Sequence, residues 1–139
     1  MRNLQPILLV EDDCVDAMTF KRTLKDLELK NAVVHLVNGE EALGYLKSEC
    51  NEKPCLIFLD LNMPKMNGIE FLKVVKADDV LKRIPVIVLT TSKEECDIMD
   101  SFKLSVAGYI VKPVDYTKFV EAIKTIDLYW TLSELPNGD

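Results

Sequence analysis

The sequence predicts an α/β protein built on a doubly wound, five-stranded parallel sheet with helices on both faces. Two observations predict this class. Short apolar runs rich in β-branched residues recur without polar alternation, which is typical of strands buried on both faces of a parallel sheet. Segments with helical spacing of apolar residues separate these runs at intervals of roughly 25 residues, as the right-handed crossovers between parallel strands require.

The elements follow in order along the chain. The predicted strands are residues 7–10, 32–37, 56–59, 86–89 and 109–111. The predicted helices are marked by apolar residues that share one face: Cys14, Ala17, Met18, Leu24 and Leu27 in the first; Ala42, Leu43 and Leu46 in the second; Phe71, Leu72 and Val75 in the third; Ile98, Met99 and Phe102 in the fourth; Phe119, Ile123, Ile126 and Trp130 in the fifth.

Composition excludes several function classes. The 139 residues include 17 basic and 23 acidic side chains, a formal net charge of −6, which argues against a nucleic-acid-binding face. The four cysteines form no CxxC pair and His35 is the only histidine, which argues against a zinc site. His35 lies inside a predicted strand, and we interpret it as a strand side chain without a catalytic role. No apolar run reaches the ~18 residues of a membrane span.

The five βα units occupy one domain, residues 5–131, and residues 132–139 form a short polar tail. We therefore expect no output domain. The chain carries no basic-then-apolar secretion signal, so we expect a cytoplasmic protein whose thiols are reduced and mostly buried.

The candidate functional residues follow the predicted strands. Ligands of an open α/β sheet bind at the carboxyl ends of its strands, so polar side chains at these positions converge on one edge. These residues are Glu11, Asp12 and Asp13 after the first strand, Asp60 after the third, Thr90 after the fourth and Lys112 after the fifth.

Clustered carboxylates repel one another and resist ionisation unless a cation neutralises them. The hard oxygen ligands gathered here point to Mg²⁺. A carboxylate beside such an ion can attack phosphorus and form an aspartyl phosphate, whose oxygens Lys112 and Thr90 would stabilise. Each residue also has an ordinary structural interpretation, since Asp12 and Asp13 fit the cap and first-turn acids of a helix. The empty site is expected to be electrostatically strained, so Asp13→Ala is expected to stabilise the metal-free protein and to weaken Mg²⁺ binding.

Four motifs resemble those of response-regulator receiver domains, and the resemblance spans nearly the whole chain. They are the acidic pair Asp12-Asp13 after an apolar strand, the segment LDLNMPKMNG at residues 59–68, Val88-Leu89-Thr90, and YIVKP at residues 109–113. The resemblance implies a flavodoxin-like sheet of strand order 2-1-3-4-5. It also implies a phosphorylation-activated signalling switch of a two-component system.

The resemblance assigns a role to each matched residue. Asp60 accepts the phosphoryl group and Lys112 contacts it. Asp12, Asp13, Asp60 and the carbonyl of Asn62 serve Mg²⁺, directly or through water. Thr90 and Tyr109 form the switch pair.

Within this family, the chain resembles in particular the small regulators that partner bacterial phytochrome kinases. The matching features are residues 90–92, a long fifth helix ending at Tyr129-Trp130, and the expected lack of an output domain. It implies a sensor histidine kinase as phosphoryl donor and a downstream protein as target. The fifth helix is expected to cover the sheet with one apolar stripe. Leu128, Tyr129 and Leu132 fall outside this stripe and would add exposed apolar area at the end of the helix. We therefore expect a homodimer or partner contact through the fourth helix, fifth strand and fifth helix.

Two other functions compete with a signalling switch. A small-molecule phosphatase or phosphotransferase would turn over phosphate esters through Asp60, but such enzymes often carry a second acid two residues later, where this chain has Asn62. A degenerate receiver acting as a constitutive scaffold is disfavoured because every site residue is present. We expect no enzyme activity beyond the protein's own phosphorylation and dephosphorylation.

Overall fold

In the computed structural model, five parallel strands form one sheet in the order β2-β1-β3-β4-β5. This is the strand order that the resemblance implies. The structure describes residues 5–26, 31–61, 68–90 and 106–111, together with residues 117, 120, 121 and 124. The strands are β1 (Ile7–Val10), β2 (Val33–Leu36), β3 (Leu56–Asp60), β4 (Val86–Thr90) and β5 (Gly108–Val111).

Burial along the strands explains their apolar sequences. Every residue of β1 and β3 is buried, because both strands are internal and both of their faces are covered. All four residues of β2 are half-buried, as expected of a strand at the edge of the sheet. These two of the three internal strands therefore have continuous apolar sequences.

Three helices are described: α1 (Cys14–Asp26), α2 (Gly39–Lys47) and α3 (Gly68–Ala77), followed by a 3₁₀ turn (Leu81–Arg83). Helix α2 begins after Asn38, whose side-chain oxygen accepts a hydrogen bond from the backbone N–H of Glu41 at 2.9 Å and so caps the helix. The predicted inward faces of α2 and α3 are confirmed, since all six apolar residues named for them are buried. Among the described residues, no helix has the length and apolar character needed to cross a membrane.

The core forms one layer on each face of the sheet, because successive strand side chains point to opposite faces. Leu8 and Val10 of β1 lie in the cluster that includes buried residues of α2 and α3. Ile7 and Leu9 lie in the other cluster, with residues of α1. In that second layer the rings of Phe20 and Phe58 pack with their centroids 5.3 Å apart.

The inward face of α1 differs from the predicted one. Ala17 and Leu24 are buried as expected, but the third buried residue is Phe20, whereas Met18 is 61% exposed and Cys14 is also exposed. Met18 lies about 100° around the helix from Ala17, which turns it away from the sheet. Leu27 lies outside the described residues.

Two further expectations meet the structure only in part. The cysteines were expected to be mostly buried, but among the three that the structure describes only Cys55 is buried, and Cys14 and Cys50 are exposed free thiols. The predicted fourth helix lies outside the described residues. The predicted fifth helix is described only at residues 117, 120, 121 and 124, which are helical.

Candidate functional site

The connection after β1 carries the first acidic residues of the site. Glu11 directly follows β1 and is completely buried. Its backbone N–H donates to the carbonyl of Leu36 on β2 at 3.0 Å. The Nε2 atom of His35, also on β2, lies 2.6 Å from the carbonyl oxygen of Glu11. The backbone of Glu11 is thus tied to β2 although β1 has already ended.

Strand β3 carries the acid that the sequence predicts as phosphoacceptor. Asp60 is the last residue of β3, is 3% exposed, and pairs in register with Leu89 of β4. The next N–H, that of Leu61, donates to the carbonyl of Leu89 at 3.1 Å, so the chain remains paired just beyond the carboxylate. Asp60 is therefore held at the carboxyl edge of the sheet.

Gly68 is the first residue of α3 and the first described residue after Leu61. Its N–H donates to the carbonyl of Leu61 at 3.2 Å. A Cβ atom at this position would lie 2.6 Å from Cα of Leu61 and 2.9 Å from the carbonyl oxygen of Asp60, closer than real side chains approach a backbone. Glycine is therefore required for α3 to start directly against the end of β3.

The three acids Glu11, Asp12 and Asp60 form a compact group. One carboxylate oxygen from each lies within 4.8 Å of the others, with Glu11 and Asp60 buried and Asp12 exposed. Ionised carboxylates this close repel one another, and two of them are shielded from water, so a cation is their natural counter-charge. Hard oxygen donors with one open side fit a divalent cation that keeps some of its water.

The structure brings together two of the predicted metal ligands of this region, Asp12 and Asp60, but adds Glu11 in place of Asp13. The Oδ1 atom of Asp13 accepts hydrogen bonds from the backbone N–H groups of Val15 at 2.8 Å and Asp16 at 3.2 Å. This is the geometry of a helix N-cap, and Asp13 directly precedes α1. The structural interpretation left open by the sequence therefore describes Asp13.

The predicted metal ligands do not include Glu11, although the sequence shows it at the strand end and the structure brings it into the acidic group. Two features of the sequence point to Glu11. It is the first residue after the apolar run, and the third acid, Asp13, fits the cap of the helix that follows. The N–H of Asp13 also lies 3.4 Å from the carboxylate of Glu11, at the limit of a hydrogen bond.

The remaining predicted site residues are described only in part. Thr90 ends β4 and pairs in register with Val111 of β5, at the same edge as Asp60. Tyr109 lies on β5 in register with Val88 and is 36% exposed. Asn62 and Lys112 lie outside the described residues.

The sequence of this chain matches a known family of proteins. Residues 7–124 match the family model of the response regulator receiver domain. The chain belongs to the response regulator receiver family. It is 37% identical to the response regulator Rcp1 of Synechocystis sp. over 128 residues, which cover 89% of this chain and 87% of Rcp1.

Solved structures of receivers superpose closely on this one. The bacteriophytochrome response regulator RtBRR is 40% identical with a TM-score of 0.83, over 92% of this chain and 81% of that chain. The phosphorylated cyanobacterial phytochrome response regulator RcpA is 38% identical with a TM-score of 0.75, over 93% and 95%. The Mn²⁺-bound form of Rcp1 is 36% identical with a TM-score of 0.74, over 91% and 94%.

Membership of this family defines the general function. Receivers are domains of two-component response regulators that are phosphorylated on an aspartate, and this chain is a signalling protein of that class. Receivers bind a divalent metal, and the acidic group at the carboxyl edge of the sheet could hold such an ion. The relatives named above are response regulators, and none of these comparisons supports the phosphatase alternative.

Proposed function

We propose that this receiver takes a phosphoryl group from a phosphohistidine of its partner kinase onto the carboxylate of Asp60. The observation that carries the assignment is the convergence of Asp60 with Glu11 and Asp12 at the carboxyl edge of the sheet. A carboxylate oxygen of Asp60 attacks phosphorus, the phosphorus–nitrogen bond breaks, and its electron pair returns to the imidazole. Glu11 and Asp12 follow β1, the strand next to β3. Their side chains can therefore lie beside the carboxylate of Asp60, where the phosphoryl group would be bound.

We propose Mg²⁺ as the divalent cation of this site. Glu11, Asp12 and Asp60 would hold it, directly or through water, together with the carbonyl of Asn62. When bound, the ion neutralises charge on the transferring phosphoryl oxygens. The role of Asp13 in this arrangement is to cap α1 and so to fix where the loop between Asp12 and the helix ends.

Lys112 and the switch pair complete the proposal. Lys112 follows β5, and its ammonium would stabilise the phosphoryl oxygens from the side opposite the acids. Thr90 would bond the phosphoryl group once it is present, and Tyr109 would enter the space that Thr90 leaves. The two positions are neighbours in the sheet, because Thr90 ends β4 and Tyr109 lies on the adjacent strand β5. Phosphorylation can favour this state only through contacts that differ between the two states.

The partner that we propose is a sensor histidine kinase of phytochrome type, because RtBRR is named as a bacteriophytochrome response regulator and RcpA as a cyanobacterial phytochrome response regulator. The output would be a contact with a downstream protein in the cytoplasm. We propose that this contact, or a homodimer contact, uses the fourth helix, β5 and the fifth helix. Tyr109 of β5 is 36% exposed, which supports a role for this proposed switch residue in such a contact.

Labelling with acetyl phosphate tests the phosphoacceptor. Wild type should take up one labile, Mg²⁺-dependent phosphoryl group, and Asp60→Asn should take up none. Asp16→Asn is the matched control, because Asp16 is a half-buried acid of α1 that lies outside the acidic group, and it should label as wild type does. Labelling of Asp60→Asn at the wild-type level would refute the assignment. Steady turnover of a phosphomonoester by wild type would favour the phosphatase alternative instead.

Sedimentation tests the proposed contact surface. Leu128 and Leu132 lie outside the described residues, and we predict from the sequence pattern that they lie at the end of the fifth helix. Wild type with beryllofluoride should sediment as a dimer, and the Leu128→Asp, Leu132→Asp double variant as a monomer. If wild type is monomeric both with and without beryllofluoride, the proposed homodimer is refuted. Normal binding of kinase and target by the double variant refutes the surface.

A further inference from the structure

His35, the single histidine of the chain, makes a contact that its position in an edge strand does not require. It lies on β2 in register with Leu9 and is half-buried. Its Nε2 atom is 2.6 Å from the carbonyl oxygen of Glu11. A carbonyl oxygen only accepts hydrogen bonds, so Nε2 carries a hydrogen and donates it. Both the neutral Nε2–H tautomer and the imidazolium can do this, so the contact does not depend on the charge of the ring.

This hydrogen bond acts on a peptide group of the acidic site. The carbonyl of Glu11 belongs to the planar peptide that joins Glu11 to Asp12. Holding its oxygen therefore fixes the orientation of the plane from which both carboxylate-bearing residues extend. The N–H of Glu11 is held as well, by the carbonyl of Leu36 at 3.0 Å. Strand β2 thus holds the backbone of Glu11 on both sides, once through a main-chain carbonyl and once through a side chain.

We propose that His35 is a positioning residue of the metal site, which it serves by aligning the Glu11–Asp12 peptide without touching the metal or the phosphoryl group. This inference rests on the proposed function of the acidic group. Groups that orient ligands from outside the coordination sphere typically change metal affinity by about 10–100-fold when they are removed. Loss of the His35 hydrogen bond should therefore weaken Mg²⁺ binding more than it weakens the fold.

The chain offers a matched control at the opposite end of the same strand pair. The Nδ2 atom of Asn31, just before β2, donates to the carbonyl oxygen of Gln5, just before β1, at 2.8 Å. Like the His35 contact, this is a side-chain bond across the β2–β1 pair to a main-chain carbonyl. It lies at the amino end of the sheet, away from the acidic group. Its loss should lower stability without changing the affinity for Mg²⁺.

The test compares His35→Leu, His35→Gln and His35→Asn with Asn31→Leu and wild type. Leucine removes the donor. Glutamine restores an amide nitrogen at the same number of bonds from Cα as Nε2, and asparagine places it one bond short. The Mg²⁺ midpoint is measured for acetyl phosphate labelling and, independently, from the rise of the melting temperature with Mg²⁺.

We expect His35→Leu and His35→Asn to raise the Mg²⁺ midpoint by about tenfold or more, with the labelling rate restored at saturating Mg²⁺. His35→Gln should return the midpoint to near the wild-type value, and Asn31→Leu should leave it unchanged while lowering the melting temperature in chelator. An unchanged midpoint in His35→Leu overturns the inference, as does an equal shift in Asn31→Leu or no recovery in His35→Gln. If His35→Leu does not fold, the comparison of asparagine with glutamine decides. If wild type takes up no label, the proposed function fails, while the thermal Mg²⁺ midpoint still decides the role of His35.

Discussion

Two neighbouring acids at the end of β1 are predicted to respond in opposite directions to neutral substitution. Glu11 belongs to the buried acidic group, whereas Asp13 caps α1. In metal-free protein, Glu11→Gln should therefore raise the free energy of unfolding and Asp13→Ala should lower it. The cap geometry of Asp13 thus reverses the direction that the sequence analysis predicts for Asp13→Ala. The isosteric glutamine keeps an oxygen that can accept the weak hydrogen bond from the N–H of Asp13.

The geometry sets the size of both effects. Two ionised carboxylates 4.8 Å apart repel by about 3.5 kcal/mol at an effective dielectric constant of ~20. Water around the exposed Asp12 and the cost of burying an amide reduce this, so we expect Glu11→Gln to gain about 1–2 kcal/mol. Asp13→Ala leaves two backbone N–H groups without their acceptor and should cost about 1 kcal/mol. Each kcal/mol corresponds to roughly 4 °C in the melting temperature of a chain of this length.

The affinity for Mg²⁺ should also respond differently to substitution of the two residues. Glu11→Gln removes a charge from the metal site, and a loss of 1.4 kcal/mol in binding already raises the dissociation constant about tenfold. Asp13→Ala should leave the dissociation constant close to that of wild type. Thermal unfolding in chelator and across a millimolar series of Mg²⁺ measures both quantities on the same samples.

Asp13→Asn is the control that decides between the two roles of Asp13. Asparagine caps helices about as well as aspartate but carries no charge. If Asp13 is a cap, this variant should melt near wild type in chelator and bind Mg²⁺ with similar affinity. If Asp13→Asn instead behaves like Glu11→Gln, more stable without metal and weaker in binding it, the assignment of the acidic group is wrong.

Three further predictions concern other parts of the molecule. Gly68→Ala should lower the free energy of unfolding by about 1–3 kcal/mol, because its Cβ would meet the backbone of Leu61 at 2.6 Å; a melting temperature at or above that of wild type would contradict the close approach. Burial raises the pKa of the Cys55 thiol to about 11, so maleimide at neutral pH should modify exposed Cys14 in the folded protein and Cys55 only after unfolding. The unfolded chain loses the Cys55 proton at lower pH than the folded chain does, so this thiol's contribution to stability should fall as the pH rises toward 11. Thr90→Ala should accept a phosphoryl group but gain no affinity for its target on phosphorylation, as measured by binding with and without beryllofluoride; a wild-type gain would refute the switch.

The architecture of this protein could be predicted from local sequence patterns. Uninterrupted apolar runs such as residues 56–59 are compatible with burial on both faces, and parallel strands require the helical crossovers that separate those runs. The faces of α2 and α3 were also predictable, since only one arrangement of residues such as Ala42 and Phe71 places every large apolar side chain inward. The position of Asp60 at the end of a buried strand followed from the same reasoning, because carboxyl ends of parallel strands share one edge.

Which acids belong to the acidic group depends on contacts between distant parts of the chain. Glu11, Asp12 and Asp13 are consecutive acidic residues, and their order alone does not show where the strand edge ends and the helix cap begins. That boundary depends on the β2 strand, which holds the backbone of Glu11 through long-range hydrogen bonds from His35 and to Leu36. Contacts between residues about 25 positions apart leave no periodic signal in the sequence, because they depend on how the strands are placed side by side.

The same limit explains the inward face of α1 and the need for glycine at position 68. Met18 and Phe20 are both apolar, and the rotation of α1 that buries Phe20 is set by the packing of its ring against Phe58 on β3. Gly68 is required because the end of β3 comes within 2.6 Å of where its Cβ would be. Local sequence patterns determine which elements form and which faces are apolar, whereas the rotation, contact distance and hydrogen-bond partners of those elements are decided by packing in three dimensions.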